Sequence, residues 1–323
     1  MFSLRDQTVA VTGATGFVGH YLVRVLLERG AHVVALARNP DNGLAFTHPN
    51  LELRRFDLTQ PATIAPALRD ANVLYHNAAL ISIGRQSWAR LAETNIEGTR
   101  RVFAAAAEAG VQRAVLTSSA SVYRPKPDHD YGEDDPLWQS DDKPNRTRWY
   151  GKTKAEAERV ALEIAADADI HVAIARPQMI FGAWCRDGFS AAFEKLMRSP
   201  VAVKPLDWRF PAVYAGDLAE AMMRMAERDS ANGRAYNIAA PPNRVDYVDH
   251  VRAWRLAGGQ IPRVQIPVPL PVRRSYQIHR AQHDLNWRPR TMRQAYEEKL
   301  ALMRGDWPPH DPTLCDLNRA VAA

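Results

Sequence analysis

The chain has 323 residues, 46% of them apolar and 24% charged, with a formal net charge of +6; this is the balance of a globular protein large enough for two domains, or for one α/β domain with an appended lobe. Two cysteines, Cys185 and Cys315, give neither a disulfide framework nor metal-ligand spacing, which suits a reducing, cytoplasmic setting and no metal. No apolar run is long enough to cross a membrane, the opening MFSLRDQ leaves no room for a signal peptide, and the positive charge lacks the interleaved aromatics that grip nucleic acid.

Residues 8–12 are a β-branched run too short for a helix and long enough for a buried strand. The run breaks into Gly13, Gly16 and Gly19, after which apolar residues recur at Val18, Leu22, Val25 and Leu26 with helical spacing. Gly30 closes that helix, and residues 32–37 read as a second strand. Strand, glycine turn, helix and strand within about thirty residues make a right-handed βαβ crossover. The glycines allow the turn, let a pyrophosphate approach the backbone and let the helix pack on its strand, while the helix N-terminus offers N–H groups to phosphate. The pattern G-x-x-G-x-x-G also occurs in plain turns; its place between strand and helix is what points to a dinucleotide.

Asn39-Pro40 ends the second strand. Further strands are expected at 51–56, 72–75, 113–117 and 170–175, and helices over 61–69, 87–109 and 150–166. Residues 122–149 lack periodicity and read as a functional or mobile loop. Past Arg176-Pro177 the rhythm loosens, with helices expected at 188–198, 215–228, 245–257 and 291–304 and short strands near 211–214 and 235–239. An extended or edge stretch follows at 261–271, and 305–323 trail along the surface. The alternation specifies an α/β fold: a Rossmann-like doubly wound parallel sheet over 1–177 with a smaller C-terminal substrate lobe at 178–304, interleaved with the sheet. Arginines outnumber acids between Arg244 and Arg290, an excess that either attracts an anionic substrate or is a solvated surface.

Tyr150 and Lys154 are four residues apart on a predicted helix and share a face; Lys152 points elsewhere. A free tyrosine has a pKa of about 10, and bringing it near 7 takes roughly three units, or about 4 kcal/mol. A nearby ammonium and the positive nicotinamide ring of an oxidised cofactor have the right sign for this. Tyr150 would then take the proton of an alcohol as hydride leaves, or return it in reverse. Y-x-x-x-K is common; here it follows a glycine turn and a serine cluster at the end of a predicted strand, where open α/β sheets bind ligands. Ser119 is placed to donate to the substrate oxygen, with Thr117, Ser118 and Ser121 as competitors and helix capping as the plain alternative. Arg38 stands where an acid would hold the ribose 2′-hydroxyl of NAD; its guanidinium suits the 2′-phosphate of NADP, and also stacks on adenine with NAD. Trp88, Trp138, Trp149, Trp184 and Trp208 hint at an apolar or aromatic substrate, although core packing explains most tryptophans.

TGATGFVG at 12–19, Asp57-Leu58, HNAA at 76–79, TNIEGT at 94–99, TSSASVY at 117–123, YGKTK at 150–154 and RPQMIFG at 176–182 stand in one order. With VYAGDLAEAM at 213–222, YNIA at 236–239 and LNWRPR at 285–290, they make the chain resemble an extended short-chain dehydrogenase/reductase from about residue 6 to 304. The resemblance implies that Ser119, Tyr150 and Lys154 are catalytic. It implies that Gly13, Thr15, Gly16, Phe17, Val18, Gly19, Arg38, Asp57, Leu58, Asn77, Ala78, Ala79, Asn95, Thr117, Tyr150, Lys154 and Pro177 hold the cofactor. Asp57 would lie at the adenine and Asn95 on the long helix behind the site; capping, for Asp57, and satisfying buried backbone, for Asn95, are the plain alternatives. A small-molecule substrate and a homodimer through the helices at 87–109 and 150–166 are also implied. Ala120-Ser121 stand where the dehydratases of this family carry an acidic pair, which disfavours elimination. The expectation is hydride transfer between the nicotinamide C4 of NADP, or NAD, and a secondary alcohol or ketone. A nucleotide-sugar 4-epimerase with tightly held NAD, and a scaffold or redox sensor without catalysis, are the alternatives.

Overall fold

The computed structural model describes residues 2–41, 43–81, 85–185, 188–209, 211–240 and 247–306. The expected tail beyond 306, Arg244, Cys315, the first two residues of the helix expected from 245, and residues 82–84, 186–187 and 210 lie outside the described residues. The first half runs β1 (Thr8–Thr12), α1 (Phe17–Glu28), β2 (His32–Ala37), β3 (Leu51–Arg55), α2 (Ile64–Ala67), β4 (Val73–His76), α3 (Trp88–Ala92), α4 (Gly98–Glu108), β5 (Arg113–Thr117), β6 (Asp130–Tyr131) and α5 (Trp149–Asp167). The second runs β7 (His171–Pro177), β8 (Met179–Phe181), α6 (Gly188–Arg198), β9 (Val201–Arg209), β10 (Ala212–Tyr214), α7 (Ala215–Glu227), β11 (Arg234–Ile238), α8 (Tyr247–Leu256), β12 (Val264–Arg273), β13 (Ser275–Tyr276), α9 (His279–Asp284) and α10 (Met292–Arg304).

Seven strands form one sheet in the order β11-β7-β5-β4-β1-β2-β3, every pair parallel. Side chains of β1 alternate between its faces: Val9 and Val11 join one apolar core with Leu22, Leu26 and Met222, and Ala10 joins another with Leu36, Leu74 and Phe103. The strands are therefore buried on both sides, as a sheet linked only by crossovers must be. The order reverses between β1 and β4, so a crevice opens beyond their carboxyl ends. Among the described residues no helix is long and apolar enough to cross a membrane.

Two expectations are corrected, and a third resolves to one of its alternatives. The single helix expected over 87–109 changes its hydrogen bonding midway, where a π-helical turn, Glu93–Glu97, joins α3 to α4. There the Thr99 hydroxyl takes up the Asn95 carbonyl at 2.7 Å and the Asn95 side chain reaches out to Leu80. The aperiodic stretch 122–149 is partly ordered by distant partners: β6 pairs with β13, and Tyr131 stacks on Tyr276 with ring centroids 5.2 Å apart. The stretch 261–271, expected as extended loop or edge, takes the edge form: β12 pairs in parallel with β9, a strand that its central Pro205 hides from a propensity reading. The Val264 amide donates to the Pro200 carbonyl at 3.1 Å, so residues 264, 266 and 268 turn their amides to β9 while Pro267 and Pro269 lie on the outer edge. Val201, Val203, Val264 and Ile266 of this ribbon are exposed.

Candidate active site

The glycine turn forms one wall of the crevice. Gly13 has φ 66°, and a Cβ there would lie 3.1 Å from both the Cα and the N of Ala78, so the turn and the end of β4 touch backbone to backbone. The Gly16 amide closes the turn on the Gly13 carbonyl at 3.0 Å. Gly16 is also the N-cap of α1, a twelve-residue helix with no side-chain cap and no acid in its first turn. Its leading N–H groups and positive dipole end are thus left for an anion. A Cβ on Gly19 would lie 2.2 Å from the Gly13 carbonyl oxygen, so only glycine lets α1 dock this closely. These features fit a dinucleotide pyrophosphate.

The other residues expected at the cofactor divide. Thr15 and Gly16 stay accessible, and Phe17 packs edge-on to Tyr21 with centroids 6.1 Å apart. Val18 sinks into the core, leaving only its backbone for the cleft. Arg38 and Asn39 are exposed at the end of β2, and Arg38 makes no ion pair with a described residue. Asn77 and Ala78 donate their amides to Thr12 Oγ1, both at 3.0 Å, and Ala79 follows them, half-buried. Pro177 ends β7 opposite Ile238. Asp57 caps its own turn, its Oδ1 accepting from the Thr59 amide at 2.9 Å and the Thr59 hydroxyl at 2.8 Å. The Leu58 side chain is buried against Gly98, where a Cβ would stand 3.3 Å from its Cδ2, so its backbone is the part left for a cofactor. The Thr117 hydroxyl points to the Met222 sulfur on α7 at 3.7 Å. Alternation along β5 sends Thr117 to one face and Ser118, which donates to Glu158 on α5, to the other.

Gly151 sets the acid/base group. A Cβ there would lie 2.1 Å from the Ser121 carbonyl oxygen, so glycine between Tyr150 and Lys152 allows α5 to press onto the turn after β5 and bring Tyr150 beside Ser119. Ser119 Oγ also accepts from the Ser121 amide at 3.1 Å, which combines the capping and the site readings of that residue. Burial pushes the Tyr150 phenol up to about 12, and the neighbouring Ser119 hydroxyl opposes this. Burial pushes Lys154 down to about 8, opposed by the carboxylate of Glu158. In the protein alone each group is displaced chiefly by loss of water, and each away from its charged form; the expected acidification calls on the nicotinamide charge as well as the amine. Lys154 is 2% exposed, yet Nζ donates no hydrogen bond to a described residue. A buried ammonium left in that state fits a partner brought by a ligand.

Around this pair the scaffold is tied. Asn95 holds the Leu80 amide (2.8 Å) and carbonyl (3.1 Å) and reaches Thr153 at 3.2 Å, so it does satisfy buried backbone. Lys152 points away and donates to the Ser140 and Asp142 carbonyls at 2.7 and 2.6 Å. Trp88 and Trp149 pack edge to face on each other 6.2 Å apart, and Trp184 stacks on His20 at 5.3 Å, so packing accounts for much of these three rings. The side chain of Trp208 lies outside the described residues. Sequence reasoning missed Glu158, which is 1% exposed and paired with Arg176 at 2.7 Å. The available signal was its spacing, four residues past Lys154 on the Tyr150 face of the helix.

A parallel sheet whose first helix begins uncapped at a glycine turn, beyond the carboxyl edge of its strands, is the arrangement of dinucleotide-binding folds. Residues 9–239 match the NAD dependent epimerase/dehydratase family, and the chain belongs to that family as an extended short-chain dehydrogenase/reductase. Among its relatives, cinnamoyl-CoA reductase 2 of Medicago truncatula is 30% identical over 241 residues, 71% of each chain. The 3 beta-hydroxysteroid dehydrogenase/Delta 5-->4-isomerase of Mycobacterium tuberculosis (strain ATCC 25618 / H37Rv) is 32% identical over 276 residues, 81% of this chain and 72% of that one. Of solved structures, MoeE5 in complex with UDP-glucuronic acid and NAD superposes with a TM-score of 0.75 at 27% identity, covering 93% of this chain and 100% of the other.

Proposed function

We propose that the protein transfers hydride between a nicotinamide cofactor and a secondary alcohol or ketone, with residues 1–177 holding the cofactor and 178–304 the substrate. The observation that carries this is the meeting of Ser119 with Tyr150 at the carboxyl edge of the sheet, with Lys154, one turn further along α5, buried and donating no hydrogen bond to a described residue. The first turn of α1 and the turn at 77–79 would hold the dinucleotide, which supplies or accepts the hydride. Ser119 orients the substrate oxygen by a hydrogen bond. Tyr150, whose phenol keeps its proton up to about 12, delivers that proton to the oxygen as the carbonyl is reduced. Reduction is the direction such a phenol serves directly. Lys154 supplies positive charge beside the developing oxyanion.

The reductase and dehydrogenase relatives support this reading over epimerisation. Likeness to MoeE5, which binds a nucleotide sugar and NAD, keeps a 4-epimerase as the second reading. The test is NADPH oxidation screened against ketones, aldehydes, an aromatic acyl-CoA and nucleotide-4-ketosugars, with mass analysis of the protein as purified. Turnover of a carbonyl by protein free of cofactor supports the reductase; NAD retained through purification, with no turnover of added NADPH, overturns it.

Cofactor choice rests on Arg38, exposed and in no ion pair with a described residue, where a 2′-phosphate would sit. Arg38→Asp is expected to shift the NADP-to-NAD ratio of kcat/KM towards NAD by roughly tenfold or more. An unchanged ratio would mean that the guanidinium does not meet the ribose.

A further inference from the structure

We infer that His76 is a positioning residue of the dinucleotide site proposed above: a neutral imidazole linking the turn that lines the cofactor to the helix that carries Tyr150. The order of protons along the link follows from donor and acceptor chemistry. Thr99 Oγ1 donates to the Asn95 carbonyl at 2.7 Å, which uses its one hydrogen. His76 Nε2, 3.1 Å from that hydroxyl oxygen, must then be the donor between them. Nδ1 is left as an acceptor and receives the Thr12 hydroxyl at 2.9 Å. The lone pairs of Thr12 Oγ1 in turn accept the Asn77 and Ala78 amides, both at 3.0 Å. Beyond Asn95 the link continues from its Nδ2 to Thr153 at 3.2 Å, and from Thr153 to the carbonyl of Tyr150 at 2.8 Å.

Thr12, His76, Asn95 and Thr99 are each 2% exposed or less, so water does not compete for these partners and a cut link strands a buried polar group. A second proton on the imidazole would aim Nδ1–H at a Thr12 oxygen already taken by two amides. The surroundings oppose that proton: burial, then the charge of Lys154 on α5, hold the imidazole down to about 3. β1 and α4 face it with Thr12, Thr99 and Phe103, none of which titrates. The two sides of the crevice, Ala78 against Gly13 and Tyr150 beside Ser119, are thus joined by one directional chain.

The test uses the full-length protein, with NADPH and NADH dissociation constants read by fluorescence and melting temperature read alongside. His76→Leu and Thr99→Val are each expected to weaken binding roughly tenfold. The double variant should bind no more weakly than the weaker single one, because the chain is already cut. Thr99→Ser, which keeps the hydroxyl, should restore wild-type affinity even if its melting temperature falls. Folded single variants that bind within about twofold of wild type, or losses that simply add, would overturn the inference. So would a step in wild-type affinity near pH 6–7 that His76→Leu abolishes, since it would show a titrating imidazole. A wild type that binds neither cofactor removes the dinucleotide reading and this inference together; a binding wild type with unaffected variants removes this inference alone.

Discussion

Replacing Tyr150 by Phe is expected to lower kcat by about 10²–10⁴-fold while cofactor affinity stays within a few-fold of wild type. The ring is conserved in this substitution, so its packing beside Ser119 survives and only the transferable proton is lost. Activity that survives would remove the mechanism outright. The same site predicts a pH profile for carbonyl reduction. Lys154 is held down to about 8, so its positive charge is present below that pH and lost as pH rises through it. Tyr150 remains protonated throughout, being held up at about 12. The rate should therefore be level on the acid side and fall above about pH 8, well before the phenol itself ionises. A profile that rises through pH 8–10 would assign proton transfer to another group.

Glu158→Ala is expected to destabilise the protein by about 3–5 kcal/mol, because it leaves the buried Arg176 guanidinium without its carboxylate. Both Glu158 oxygens are used, by Arg176 Nε and Nη2 and by the Ser118 hydroxyl, and both partners are nearly inaccessible to water. Arg176 also donates to the Tyr123 hydroxyl at 3.0 Å and the Glu133 carbonyl at 2.8 Å, so it cannot swing out to solvent without releasing the stretch 122–149 as well. Denaturant unfolding of Glu158→Ala and of the double variant Glu158→Leu, Arg176→Met checks this. The double variant should recover more than half of the loss, since an apolar pair carries no uncompensated charge. A single-variant loss below about 1 kcal/mol would show that water reaches the pair.

Much of the sheet was legible because periodicity is a local signal: the runs at 8–12, 32–37 and 113–117 are bounded by glycine or turn residues and coincide with β1, β2 and β5. The glycine turn, Tyr150, Lys154 and Ser119 were legible as a set because their order along the chain is specific. What could not be read depends on partners far away in sequence. β6 has no periodicity of its own and exists by pairing with β13, and β9 and β12 carry prolines that a propensity reading rejects. The directions of Leu58 and Thr117 follow from strand-end geometry that no motif encodes. The displaced pKa values of Tyr150 and Lys154 follow from loss of water, and burial is set by tertiary packing that the Y-x-x-x-K spacing does not encode.

Along the free margin of β12, Pro267 and Pro269 replace two amide hydrogens that an incoming strand would need. A ribbon showing Val201, Val203, Val264 and Ile266 to solvent would otherwise be a template for chain-to-chain growth. A newcomer at that margin meets carbonyl oxygens but too few donors to build a ladder. On this margin the ribbon can thus display greasy side chains while its backbone refuses a further strand.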